Sequence, residues 1–162
     1  MSRTSSKVLP QMVPTSKQVV ASEALDRSEN ELTSLIEIKD QIKENHNEIN
    51  LSLNRVASVP TGLLPKCLKS LDLSSNQLKD CRGFVGLPNL ISLDLSINQI
   101  TVLTGIDLPA LKHLGLQSNK LTTLKGIEKL RSLETLNVDR NELKSLTFGG
   151  NNAAVNHFLT TA

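Results

Sequence analysis

Two stretches of this 162-residue chain, LKSLDLSSNQL (68–78) and LISLDLSINQI (90–100), each place a serine, an aspartate and a second serine on alternate residues. A third, LKHLGLQSN (111–119), brings in His113. Serine, histidine and aspartate are the parts of a nucleophilic triad, and Asp72 beside Asp94 would be the start of a cation site. A triad also needs serine within hydrogen-bond reach of histidine, an oxyanion hole and exclusion of water. No activating motif surrounds these residues. Two carboxylates are too few for tight calcium binding. The expectation is therefore no enzyme, no catalytic residue, no cofactor and no metal, and the recurring spacing needs another explanation.

That explanation lies in the elements that carry the residues. Asparagine recurs at Asn54, Asn76, Asn98, Asn119 and Asn141, at intervals of 22, 22, 21 and 22. It closes the strings INLSLN, LDLSSN, LDLSIN, LGLQSN and LNVDRN. Leucines two apart share one face of a strand. A single strand cannot bury that face, but a parallel stack of them makes a continuous core. An asparagine amide both donates and accepts. Stacked copies at the turn after each strand would satisfy buried peptide groups as a structural ladder. The other half of each repeat also keeps its frame. Ile100, Leu103, Ile106, Leu108 and Leu111 follow Asn98; Leu121, Leu124, Ile127, Leu130 and Leu133 follow Asn119. Gly105 and Gly126 precede the isoleucine each time and predict a tight turn, and the one-residue deletion falls in this returning half.

A period of 20–29 with an LxLxxN core resembles the leucine-rich repeat family. The 22-residue spacing and the L-x-G-I/F-x-x-L returning half resemble an intracellular subclass. That subclass includes a nuclear regulatory subunit of protein phosphatase 1, the spliceosomal A-prime protein, and ciliary and centrosomal proteins. The resemblance covers about residues 49–146. It implies an α/β solenoid with a curved parallel sheet on the concave side and short helical turns and loops on the convex side. It also implies a protein-binding scaffold, either a phosphatase regulator or an assembly factor of cilium, centrosome or cytoskeleton. The alternatives are a component of a ribonucleoprotein assembly and a structural fragment without a partner of its own.

The strand residues that do not join the leucines are predicted to form a concave wall. Its columns are Glu48, Ser70, Ser92, His113 and Thr135; Asn50, Asp72, Asp94, Gly115 and Asn137; Ser52, Ser74, Ser96, Gln117 and Asp139; and Leu53, Ser75, Ile97, Ser118 and Arg140. Small polar side chains leave a trough roughly 20 Å wide over five strands about 4.8 Å apart. A helix about 10–12 Å across fits within it. The predicted partner is another protein, presented as an amphipathic helix. The residues expected to meet it are Ser70, Asp72, Ser74, Ser92, Asp94, Ser96, His113, Gln117, Asn137, Asp139 and Arg140.

Domain organisation is read as a disordered basic tail (1–22), an N-terminal capping helix (23–48) and a repeat array (49–162). The tail holds Arg3, Lys7 and Lys17 and no acid. In SENELTSLIEIKDQIKEN (28–45), Ser28 and Glu31 fit a capping box, and Leu32, Leu35, Ile36 and Ile42 form a stripe. The array ends in a degenerate sixth repeat with a strand expected near VNHFLT. The core has 29 leucines, three phenylalanines and no tryptophan or tyrosine, so it is aliphatic. A net charge of +2 is too small to argue for nucleic acid on its own, and direct nucleic-acid binding is not expected. No apolar run reaches the roughly 18–20 residues of a membrane span, and the N-terminus lacks a secretory apolar stretch. Cys67 and Cys81 lack CxxC spacing. The expectation is a monomer with reduced thiols, cytoplasmic, to which the resemblance adds nuclear, ciliary or centrosomal association. Cys81 falls in the same repeat slot as Val59, Leu103, Leu124 and Leu146 and is expected in the core.

Overall fold

Leu71, Leu93 and Leu114 are the first leucines of their LxL pairs, and each is buried against the same face of a sheet. The computed structural model describes residues 23–144. They contain six strands: β1 Glu23–Asp26, β2 His46–Asn50, β3 Ser70–Asp72, β4 Ser92–Asp94, β5 His113–Gly115 and β6 Thr135–Asn137. All pair in parallel and in chain order within one sheet. The strands are short because the chain must turn at each asparagine. Pairing nevertheless continues beyond them: Leu51, Leu73, Leu95 and Leu116 donate their N–H to Asp72, Asp94, Gly115 and Asn137 of the following strand.

The turn after each strand has one conformation. Leu53, Ser75, Ile97, Ser118 and Arg140, each just before a ladder asparagine, have φ of 53–56°. The asparagine amide then holds the turn. The Asn98 side-chain oxygen accepts from Leu78 N–H at 2.9 Å. Its amide nitrogen donates to Leu73 O, Leu95 O and Ser96 O at 2.9–3.1 Å. Asn76, Asn119 and Asn141 repeat this pattern. Asn54 accepts from Leu32 N–H and donates to Arg27 O, Leu51 O and Ser52 O. Each amide thus ties its own turn to the preceding repeat.

The returning half carries short 3-10 helices, Arg82–Phe84 and Ile127–Lys129. The repeat with the deletion has neither, and passes from Gly105 to Leu111 through turns alone. Gly105 and Gly126 have φ of 83° and 108°, the left-handed region that favours glycine. At Gly126 a β-carbon would also meet Leu103 O at 2.8 Å. The core between the halves is almost wholly Leu and Ile, joined by Val56, Val59, Phe84 and Cys81, all buried. Burial and the nearby Asp80 carboxylate push the Cys81 thiol up to about 12. Cys67 is half-buried, its Sγ–H facing Glu44 O and His46 O at 2.9 and 3.1 Å.

The N-terminal region differs from the expected helix over 28–45. It opens with β1, a further parallel strand, and the helical part is a 3-10 helix over Leu35–Gln41. Its capping box is Ser34 with Glu37, six residues later than expected. The Glu37 side chain accepts from Ser34 N–H, Thr33 N–H and Thr33 Oγ1–H, and these bonds hold its carboxyl below the usual range. Tighter winding changes which residues face inward: Leu35 and Ile38 are buried, whereas Ile36 is 52% exposed.

The cause is visible in LDRSENEL (25–32), which matches LDLSSNQL (71–78) at every repeat-defining position but one. Arg27 stands where Leu73 would point into the core, and its guanidinium turns outward to Gln41 Oε1 at 2.5 Å. The segment is a terminal repeat with a polar end, the form that seals an array. The basic tail (1–22) and the strand expected near Val155–Thr160 lie outside the described residues. Among the described residues no helix is long and apolar enough to cross a membrane.

Candidate functional site

The register aligns the concave side chains in columns. Ala24, Glu48, Ser70, Ser92, His113 and Thr135 form one; Asp26, Asn50, Asp72, Asp94, Gly115 and Asn137 form the next. Since alternate strand residues face opposite sides, the leucines between them go to the core. The expected wall residues are therefore brought onto one surface, with one exception. Ser96 is 4% exposed, although Ser74 at the same position of the preceding repeat is half-buried, and it is unavailable to a partner. Ser74 is half-buried, and Asp139 and Arg140 are exposed.

The second column has a local duty that sequence spacing did not reveal. Asp72 and Asp94 each accept, at 2.8 Å, from the N–H two residues on, of Ser74 and Ser96. Asp26, Asn50 and Asn137 do the same toward Ser28, Ser52 and Asp139. A short carbonyl- or carboxylate-bearing side chain is suited to this bond. At Asp26 the Ser28 N–H and hydroxyl together lower the carboxyl below its ordinary range. The recurring aspartates thus hold the strand ends, and each retains one carboxylate oxygen for solvent or a partner.

Cross-strand bonds stiffen the wall between β5 and β6. His113 Nδ1 lies 2.8 Å from Thr135 Oγ1. Asn137 donates to Gln117 Oε1 at 2.8 Å, and Lys112 donates to Glu134 at 2.6 Å. The lysine lowers the Glu134 carboxyl. A depression of about 370 Å³ lies here, lined by Ser92, Asp94, His113, Gln117, Thr135 and Asn137 around Gly115. Another of about 300 Å³ lies near the opposite end, at Asp26, Glu48, Asn50, Ser70 and Asp72. His113 is hydrogen-bonded to a threonine of the next strand, and no serine shares that bond among the described residues. Nor do three His, Cys, Asp or Glu residues converge as metal ligands among them.

The wall is acidic although the chain has a net charge of +2. Asp26, Glu29, Glu48, Asp72, Asp94 and Asp139 face it, against Arg140. Along one rim, Leu53 and Ile97 are 53% and 54% exposed. Asp26 and Glu29 were missed because Arg27 interrupts the LxL signature; LDxSxN was the signal that remained.

Family models agree with this geometry. A family model described as leucine rich repeat matches residues 45–100 and 67–121. A second, leucine rich repeats in two copies, matches residues 109–150. Among solved structures, an internalin from Listeria monocytogenes is similar at 22% identity with a TM-score of 0.46. The overlap covers 69% of this chain and 39% of the internalin. No curated protein matches the sequence.

Proposed function

Since the chain belongs to the leucine-rich repeat family, a family of interaction scaffolds, we propose that it binds a protein partner on its concave wall. The observation that carries this reading is the register itself. Parallel pairing fixes polar side chains at constant spacing on a stiff surface, whereas the returning half varies in length and conformation. Solenoids use such extended surfaces to hold partners. The acids of the wall favour a partner segment rich in lysine and arginine. Leu53 and Ile97 offer apolar contacts beside them. An amphipathic basic helix lying in the trough fits both features. Resemblance to the 22-residue subclass suggests phosphatase regulation, or assembly at the cilium, centrosome or cytoskeleton, inside the cell and including the nucleus.

The test is affinity purification with quantitative mass spectrometry, comparing the wild type with Asp72→Asn/Asp94→Asn. Asparagine keeps the acceptor for Ser74 and Ser96 N–H, so charge is removed without loosening the strand ends. The control is Asp107→Asn/Glu44→Asn, two exposed acids off the wall. A partner lost by the wall pair and kept by the control supports the reading. Loss by the control alone would place binding on another face.

A further inference from the structure

In the aspartate column, five strands supply a side chain that accepts the N–H two residues on, and β5 supplies Gly115. The corresponding donor remains. Gln117 N–H has no acceptor among the described residues. The Gln117 side chain cannot fold back over it, because its oxygen is held by Asn137 at 2.8 Å. On the other side stands Asp94, whose carboxylate leans over the glycine. A β-carbon on Gly115 would lie 2.7 Å from one of its oxygens and 3.5 Å from the other. The first oxygen accepts from Ser96 N–H, and the second has no partner among the described residues. The result is a notch in the floor of the 370 Å³ depression with one backbone donor and one carboxylate acceptor facing it.

We propose that this notch receives a side-chain carboxamide, an asparagine or glutamine of the bound partner. The carboxamide oxygen accepts from Gln117 N–H, as the missing column residue would. Its NH2 donates to Asp94. A guanidinium or ammonium would satisfy Asp94 but leave Gln117 N–H facing a second donor. A carboxylate would satisfy Gln117 and be repelled by Asp94. A carboxamide has both functions on one plane and completes the column. The proposal rests on the concave wall as the binding face and names the chemistry read at one point of it.

The experiment titrates the 15N-labelled full chain with the N-acetyl N-methylamides of glutamine, arginine and norleucine, of which only the glutamine probe carries a primary carboxamide, while following backbone amide resonances. The glutamine probe is expected to move the Gln117 and Gly115 amides saturably. Its apparent affinity should exceed that of the other two by about fivefold, the worth of one net hydrogen bond. Gly115→Asn restores the column from within, the Asp94 carboxylate that stands 2.7 Å from the new β-carbon swinging aside to admit it. It should shift the Gln117 amide without any probe and abolish the response. Arginine or norleucine probes matching glutamine would overturn the proposal, as would an unmoved Gln117 amide or an unchanged response in Gly115→Asn. These readouts concern the notch alone, so their failure leaves the wall reading to its own mass-spectrometric test.

Discussion

At the scale of single residues, the ladder asparagines and Cys81 give the clearest expectations. Asn98 is buried and makes four hydrogen bonds. Asn98→Ala strands Leu78 N–H and should lower stability by roughly 1–3 kcal/mol in chemical denaturation. Asn89 is exposed and donates once, to Lys66 O, so Asn89→Ala should cost about 0.5 kcal/mol or less. Equal midpoints for the two would contradict a ladder role. Cys81 supplies a pH dependence. Its thiol titrates near 9.0 when unperturbed and about 12 in the fold, so the native state holds the proton more tightly. The associated stability is fully present below pH 9 and is lost as pH rises from 9 toward 12. Wild type should therefore lose stability relative to Cys81→Val across that window in parallel thermal melts. The ladder and the Cys81 slot were legible in the sequence because period and residue type sufficed. The hydrogen bonds of Asp72 and Asp94 to the second N–H onward were not, since an exposed aspartate on a strand reads equally as a solvated charge.

At the scale of elements, the repeats were legible where two leucines and an asparagine coincide. Positive φ at Gly105 and Gly126 followed from the same frame. The N-terminal element was not legible in this way. Its apolar spacing fitted an α-helical stripe, and Arg27 concealed the repeat frame by replacing a core leucine. Tertiary pairing of β1 with β2 decided the outcome: it fixes the chain up to Asp26 and leaves space for seven residues of 3-10 helix. The two windings make different predictions for neighbouring isoleucines. Ile38→Asp buries a charge against the first repeats and should destabilise the protein by about 3 kcal/mol or more. Ile36→Asp places the charge in solvent and should change stability by about 0.5 kcal/mol or less. Thermal melts of the two variants decide between them, and a larger loss at Ile36 than at Ile38 would restore the α-helical stripe.

At the scale of the whole molecule, the fold separates two jobs. The leucine core and asparagine ladder fix the spacing of the strands, and the wall side chains are carried on that frame. Sequence columns located most of the wall because strand alternation is strict; they misplaced Ser96 because burial is set by packing between neighbouring strands, and Ser74 at the same repeat position is less buried. They also did not show Gly115 as a notch, since a missing side chain becomes a feature only when its neighbours are seen around it. The central claim is that a partner lies along this wall. It is tested most directly by photo-cross-linking with benzoylphenylalanine placed at His113 on the wall or at Val85 on the returning half, both exposed. The account predicts that one discrete partner is captured from position 113 and is absent from position 85. Capture of that partner from position 85, with nothing from position 113, would contradict it.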